Sequence, residues 1–359
     1  MSLQKSNTSN NPIVLSNLKI EDVVKTIPPA LFKKNYTKAW FHLLVNIGIV
    51  IFCYFLLAIV PWFFLPPIWV VTGTAITGFF IIAHDCGHYN FAKKRWVNNL
   101  IGHLFMTPLL YPFHCWRLRH NAHHNLTNKF GGERWQQLKD MLLWKADPDW
   151  QPIRAEIYGN LRQRTKLMAQ IMRGPFWWLG TIQNSFDQIF IDLPQVTHKE
   201  TFAAKFSINL VKIFAVIFIP LLIFTVGFWG LLKFWLIPWL IFHFWFSTFT
   251  LIHHTSHKIP WKSGEKWNHA EAQLSGTVHC NYPYWVEFLC HNINYHVPHH
   301  VAPAIPFYNL KEAHQSLKKN WNSYLKESDF SWNLIIEIIT ECQLYDEQKQ
   351  CYESFNRNE

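Results

Sequence analysis

The amino-acid sequence predicts an all-α integral membrane protein, with four transmembrane helices in two hairpins and a cytoplasmic helical cap that gathers histidines. Three observations carry this reading. Half of the 359 residues are hydrophobic and only 16% are charged, against roughly 25% charged in ordinary globular chains. Two long runs carry almost no charge. Histidine occurs 20 times, an excess with little use in an apolar chain unless protons or a metal are handled. This composition excludes intrinsic disorder, collagen and coiled coil.

Residues 1–26 are polar and rich in Ser and Asn. They lack a basic stretch followed by an apolar core, so they read as a mobile N-terminus rather than a secretory signal. From Ala39 to Ala83 there are 45 residues without Asp, Glu, Lys or Arg. A single helix crosses the hydrocarbon core in about 20 residues. Pro61 and Pro66-Pro67 break the run, which gives spans over about 39–60 and 62–83. A second pair follows at about 207–227 and 231–252, with Gly227 and Gly230 at its turn. Lys212 and Lys233 fall near ends, where each can snorkel to the interface. Lys233 is the sole Lys or Arg in either turn. The remaining basic residues lie almost entirely before the first span, in the 84–206 loop, or after Ile252. The positive-inside rule makes these three regions cytoplasmic.

The membrane domain therefore covers 27–325, its cap formed by 84–206 and 253–325, with 326–359 as a C-terminal tail. Leu161 to Phe190 mixes apolar and basic residues and reads as an amphipathic segment lying along the surface. The net charge of +10 fits an anionic membrane surface or an acidic protein partner, and with this apolar content no nucleic acid. The seven cysteines form no C-x-x-C pair, which points to a reducing compartment rather than a disulfide framework.

Three histidine clusters carry the chemistry. His84-Asp85-Cys86-Gly87-His88 directly follows the second span, and histidines at i and i+4 share a helix face. His120-Asn121-Ala122-His123-His124 and His296-Val297-Pro298-His299-His300 both place them at i, i+3 and i+4. Pro298 argues against a helix running through the third cluster, so His299 and His300 are expected in a first turn with His296 just before it. All eight lie on one predicted side of the membrane. Eight imidazoles exceed the four ligands of a tetrahedral zinc, and two first-row metals fit better. His42, His103, His114, His198, His243 and His314 read as structural or interfacial.

The paired hairpins and these three boxes resemble the membrane fatty-acyl desaturases, the His-rich di-iron family, from about Ile27 to His314. The most specific segments are Ile252-His253-His254-Thr255, Gly276-Thr277-Val278-His279-Cys280, Trp285-Val286-Glu287, Leu289-Cys290-His291-Asn292-Ile293-Asn294, and Ala304-Ile305-Pro306. This region resembles the cyanobacterial-type acyl-lipid Δ12 (ω6) desaturases. The resemblance implies Fe(2+), two per chain, acting with O2 and reduced ferredoxin on oleoyl chains of membrane glycerolipids. It also implies a ninth ligand, His254, with His253 and His291 as competitors. Asp85, Asn292 and Asn294 are candidates for holding ligands in place. Tyr89 stands where the family commonly has a basic residue, and Asn121 where it commonly has an acid. Neither change removes a ligand; both bear on substrate tuning.

There is no His-Pro-Gly-Gly segment of a fused cytochrome b5 and no G-x-G-x-x-G, so electrons must come from a docking partner. Lys93, Lys94, Arg95, Arg117 and Arg119 could steer an acidic one or hold the protein to anionic lipid. The resemblance implies a multi-pass protein of a cyanobacterial plasma or thylakoid membrane with a cytoplasmic active site. Rival readings are an ω3 (Δ15) desaturase, a His-box hydroxylase or ketolase, and a membrane metal or haem carrier. The carrier would need ligands near the midplane of its spans, where only His243 is found.

Overall fold

The computed structural model describes residues 18–132, 140, 143–149, 151–190 and 197–355. The chain is mostly helical. Three helical stretches are long and apolar enough to cross a membrane: Tyr36–Ile59, Trp62–Gly87 and His198–His254.

Helix α1 (Ile20–Val24) precedes α2 (Tyr36–Ile59), whose first turn is capped by the Asn35 side chain accepting from Lys38 N at 3.0 Å. The chain breaks at Pro61 and re-enters α3 (Leu65–Gly87) with Pro66 and Pro67 in its first turn. Proline is tolerated there because those N–H groups have no intrahelical partner. Asn46 donates to Ala75 O at 3.1 Å and ties α2 to α3. Helices α4 (Arg95–Met106) and α5 (Phe113–Leu126) follow, then α6 (Gln163–Arg173) and α7 (Gly180–Phe190).

The third stretch comprises α8 (His198–Leu231), a π-helical turn at Leu232–Leu236, and α9 (Ile237–His254). Straight, its 57 residues would extend roughly 85 Å. It is not straight. Gly227 is non-helical, with φ 72° and ψ 178°, a region open essentially only to glycine. The rings of Phe218 and Trp235 lie 6.2 Å apart, although 17 helical residues would separate them by about 25 Å. The chain thus folds back at the glycine turn. Trp69 Nε1 donates to Lys233 O at 2.9 Å and joins the two turns.

Helix α3 is the central element. It packs against α2, α4 and α9, and nearly all of its residues from Thr72 to Gly87 are buried. Two glycines permit the close approaches. A Cβ at Gly73 would lie 2.5 Å from Ile241 Cβ, and one at Gly78 would lie 2.2 Å from the carbonyl oxygen of Leu289. Large apolar side chains remain exposed along the outer faces, including Phe41, Ile51 and Phe55 of α2 and Val216, Ile217 and Phe224 of α8. A contiguous apolar surface of this extent marks a face covered by something other than water.

The rest of the cap contains α10 (His269–Ser275), α11 (Tyr284–Leu289), α12 (His296–Val301), α13 (Leu310–Trp321) and α14 (Trp332–Glu341). The all-helical expectation is corrected by two small sheets. Strands β2 (Val278–Asn281) and β3 (Lys326–Asp329) pair in parallel; β4 (Leu344–Asp346) lies between β1 (Ile153–Arg154) and β5 (Cys351–Glu353). These strands have two to four residues each, too short for a period-two pattern to stand out.

Residues 326–355, set apart by sequence as a tail, are woven into the cap through these pairings. At the other end, residues 1–17 of the expected mobile segment lie outside the described residues. Residues 18–26 are packed: Leu18 and Val23 are buried, and Thr26 O accepts from Ser316 at 2.7 Å. All seven cysteines are free.

Candidate metal centre

Three helix segments converge where α3 ends. His84 sits in the last turn of α3 and His88 caps it. His120, His123 and His124 project from α5, and His296, His299 and His300 from α12. The third box corrects one expectation. Helix α12 begins at His296, so Pro298 is its third residue. An N–H at that position has no acceptor within the helix, and proline there removes no hydrogen bond.

The nitrogens fall into two groups. His84, His88, His120, His124 and His299 have ligand atoms within 4.8 Å of one another, as do His123, His254 and His300. His296 adjoins the second group, its Nε2 being 3.0 Å from His254 Nε2 and 3.1 Å from His300 Nε2. Each i, i+3, i+4 box therefore straddles both groups. The i and i+4 residues share a face, and the i+3 residue turns to the neighbouring group. The groups adjoin, with the His124 and His300 rings 4.5 Å apart.

The residues present fit a metal. In the first group His120 Nε2 and His124 Nε2 are 3.0 Å apart. Two nitrogens held at right angles by one ion at 2.1 Å would be about 3.0 Å apart. His88 Nε2 and His299 Nε2 are buried with no hydrogen-bond partner. Such an atom costs about 1–3 kcal/mol unless an ion satisfies it.

Burial sets the charge state of these rings. It pushes His88 down to about 4. Burial first, and neighbouring imidazoles second, hold His120, His124, His296, His299 and His300 well below the ordinary histidine range. They are neutral donors at neutral pH, as ligation requires. His123 differs. Burial also opposes its charge, but Asp147 more than compensates, and its pKa is raised. His123 Nδ1–H donates to the fully buried Asp147 Oδ1 at 2.7 Å, which leaves Nε2 free for a metal.

Two positioning groups went unread in the sequence. Asp147 is one. The other is Gln273, whose Oε1 is 3.0 Å from His300 Nδ1. They stand 24 and 27 residues from their histidines, and no spacing rule connects them. Each comes to lie beside a box only in the folded chain.

The remaining candidates lie elsewhere. His253 belongs to neither group; its ring stacks on Phe249, and its Nε2 is 3.5 Å from Tyr282 OH. His291 packs against His42 and Phe307. Asp85 faces Asn90 and the Phe307 backbone. Asn294 donates to Glu287 at 2.8 Å. Asn292 has a positive φ in the turn before α12. Among the histidines read as structural, His103 bonds Ser207, His243 bonds Thr181 and His314 bonds Glu327.

A cavity of about 340 Å³ opens onto both groups, touching His84 and His120 as well as His123, His254 and His296. Phe80, Trp116, Phe246, Phe249, Leu251 and Ile293 give it apolar walls, and Gln183, Asn184 and Asp187 of α7 give it a polar edge.

Compared with known proteins, residues 60–331 match the fatty acid desaturase family. The chain is similar to the sn-1 oleoyl-lipid 12-desaturase of Anabaena variabilis, with 45% identity over 346 residues covering 96% of this chain and 95% of the relative. The protein of the same name in Synechocystis sp. is 45% identical over 338 residues, or 94% and 92% of the two chains. The chloroplastic omega-6 fatty acid desaturase of Glycine max is 41% identical over 333 residues, or 92% and 74%. With a family match over most of its length and relatives this similar, the chain belongs to the fatty acid desaturase family.

Proposed function

We propose that this chain is an O2-dependent acyl-lipid desaturase that introduces a cis double bond at Δ12 (ω6) of oleoyl chains in membrane glycerolipids, giving linoleoyl chains. The observation that carries this reading is the meeting of nine histidines, in two adjoining groups, at one apolar-walled cavity. The names of the cyanobacterial relatives support the position of the double bond.

We assign two iron ions, one to each group. Bound there, they would supply the oxidant for removing hydrogen from two adjacent unactivated methylenes, a task beyond zinc, which has no redox chemistry. The chain's residues do the rest. The nine imidazoles hold the metals. Asp147 and Gln273 fix ring orientation. The aromatic walls of the cavity hold the acyl chain and exclude water.

Converting a single bond to a double bond yields two electrons, and reducing O2 to two waters takes four. Two electrons must come from outside. A reduced ferredoxin fits as donor, and the basic surface beside His88 fits as its dock. Lys93, Lys94 and Arg95 are exposed, and the Arg95 and Arg117 guanidinium groups lie 5.2 Å from the Tyr89 ring, next to His88. Arg119 drops out of this face. It is tied to Asp149 at 2.6 Å and lines the cavity.

The distribution of Lys and Arg supports four spans in two hairpins, with both termini, the cap and the active site cytoplasmic. The relatives' organisms favour a cyanobacterial plasma or thylakoid membrane.

The test is fatty-acid profiling, with double-bond location, in a host that has oleoyl lipids and a ferredoxin system but no polyunsaturates. New 9,12-octadecadienoate, absent with His296→Ala, is the expected result. An unchanged profile with the protein inserted, followed by a triene when linoleate is fed, would replace the reading by an ω3 desaturase.

A further inference from the structure

One wall of the cavity is fastened by a polar junction as well as by apolar contacts of Ile189, Ile182 and Trp177. Helices α6 and α7 form that wall. Helix α6 buries no residue, and of the four buried in α7 three are polar: Thr181, Ser185 and Gln188. Their large side chains Leu167, Met168, Phe186 and Phe190 are exposed. A buried polar junction at the start of α7 fixes it against α9.

The donors and acceptors there form one connected network. Ser247 Oγ lies 2.9 Å from Trp178 O, 3.2 Å from Thr181 N and 2.7 Å from Thr181 Oγ1. A carbonyl can only accept, so the Ser247 hydroxyl donates to it. Ser247 Oγ then accepts from both the Thr181 amide and the Thr181 hydroxyl. Thr181 Oγ1, its proton so used, accepts from His243 Nδ1–H at 2.9 Å. The proton on Nδ1 leaves His243 Nε2 bare, and that atom is buried without a partner. Tyr111 OH donates to Thr181 O, and Ser185 Oγ donates to Leu110 O at 2.5 Å. With the Ser247 proton on Trp178 O, the chain runs from His243 through Thr181 and Ser247 to Trp178, and the Thr181 hydroxyl also lies 3.4 Å from His243 O.

Thr181 and Ser247 both line the cavity. Ser247 and His254 stand seven residues apart on α9, about 10 Å along the axis. The junction therefore sets how far the wall stands from a histidine of the metal centre.

We propose that Thr181, Ser247 and His243 are positioning residues for the acyl chain: by fixing α7 against α9 they determine which methylene reaches the metal centre. A displacement on the order of 1 Å is enough to take a bond out of reacting geometry, so a loosened wall changes product position before it changes metal binding. This inference rests on the desaturase reading, but it concerns a shift relative to wild type and holds wherever the wild-type double bond is found.

The experiment compares wild type, Thr181→Val and Thr181→Ser. Double-bond positions are located by mass spectrometry, and iron per chain is measured on the same purified proteins. Thr181→Val keeps the shape and removes the hydroxyl. It is expected to retain iron and to raise products at neighbouring carbons roughly tenfold, the lower end of what one methylene is worth in an apolar pocket. Thr181→Ser restores the hydroxyl and the wild-type pattern. Should Thr181→Val fail to accumulate, Tyr111→Phe removes one bond to the same wall and is expected to shift positions in the same sense. Unchanged product positions in iron-loaded Thr181→Val or Tyr111→Phe would overturn the proposal. So would loss of iron in step with loss of product, which would make the junction purely structural.

Discussion

His123 illustrates at the scale of one residue what separates a ligand from a buried histidine. Burial alone would make its ring neutral with an undefined tautomer. Asp147 fixes the proton on Nδ1 and frees Nε2. Removing that orienting charge while keeping its shape, as in Asp147→Asn, is expected to weaken metal binding by about 10–100-fold, read as iron retained after dialysis against a graded chelator. Retention equal to wild type would remove Asp147 from the site. The box histidines were legible in the sequence because their spacing obeys helix geometry. Asp147 and Gln273 were not, because the 143–149 segment and α10 meet α5 and α12 only in the folded chain. Asp147 forms part of a short segment, and nothing in its neighbours marks it. His253 and His254 show the limit of adjacency: consecutive residues on a helix point about 100° apart, and only the structure distinguishes the one that meets His123 and His300 from the one that stacks on Phe249.

At the scale of elements, close approach of backbones is the controlling feature. Gly78 faces the Leu289 carbonyl oxygen, a backbone atom that cannot swing aside, and the Asn46 amide beyond it, whereas Gly48 faces open space. Gly78→Ala is expected to destabilise the protein by about 1–3 kcal/mol and to lower activity, because α3 carries His84 and α11 leads into the third box. Gly48→Ala is the matched control and should be neutral. Thermal unfolding of both in one detergent decides the point; equal midpoints would contradict it. Gly227→Ala is expected to cost about 1–3 kcal/mol for a different reason, backbone strain at positive φ. The sequence placed a turn there because Gly227 and Gly230 interrupt an otherwise uniform apolar run; Gly227 departs from helical geometry, whereas Gly230 lies within the helix. It misjudged the start of α12 because proline was weighed as a breaker without regard to where in the first turn it falls.

At the scale of the whole molecule, two regions distant in the chain close the cap. The last thirty or so residues pair with β1 and β2, and Trp261 bonds both Tyr345 and Tyr352, at 2.9 and 3.0 Å. Truncation after Leu325 is therefore expected to give a protein that fails to fold, seen as loss of a monodisperse peak on gel filtration in detergent. A well-behaved truncated protein would show that the segment is a dispensable tail after all. The apolar runs made the mostly helical, membrane-spanning character readable from sequence. The small sheets were unreadable because their strands are stabilised by partners far along the chain rather than by their own pattern.

The central claim is that two adjoining histidine groups each hold one iron. Metal analysis of the purified protein tests it most directly. Wild type is compared with His84→Ala/His88→Ala, which depletes the first group, and with His254→Ala/His296→Ala, which depletes the second. The account predicts two irons per chain in wild type and one in each double variant, with no desaturated product from either. A wild type holding a single iron, or either double variant still holding two, would contradict it.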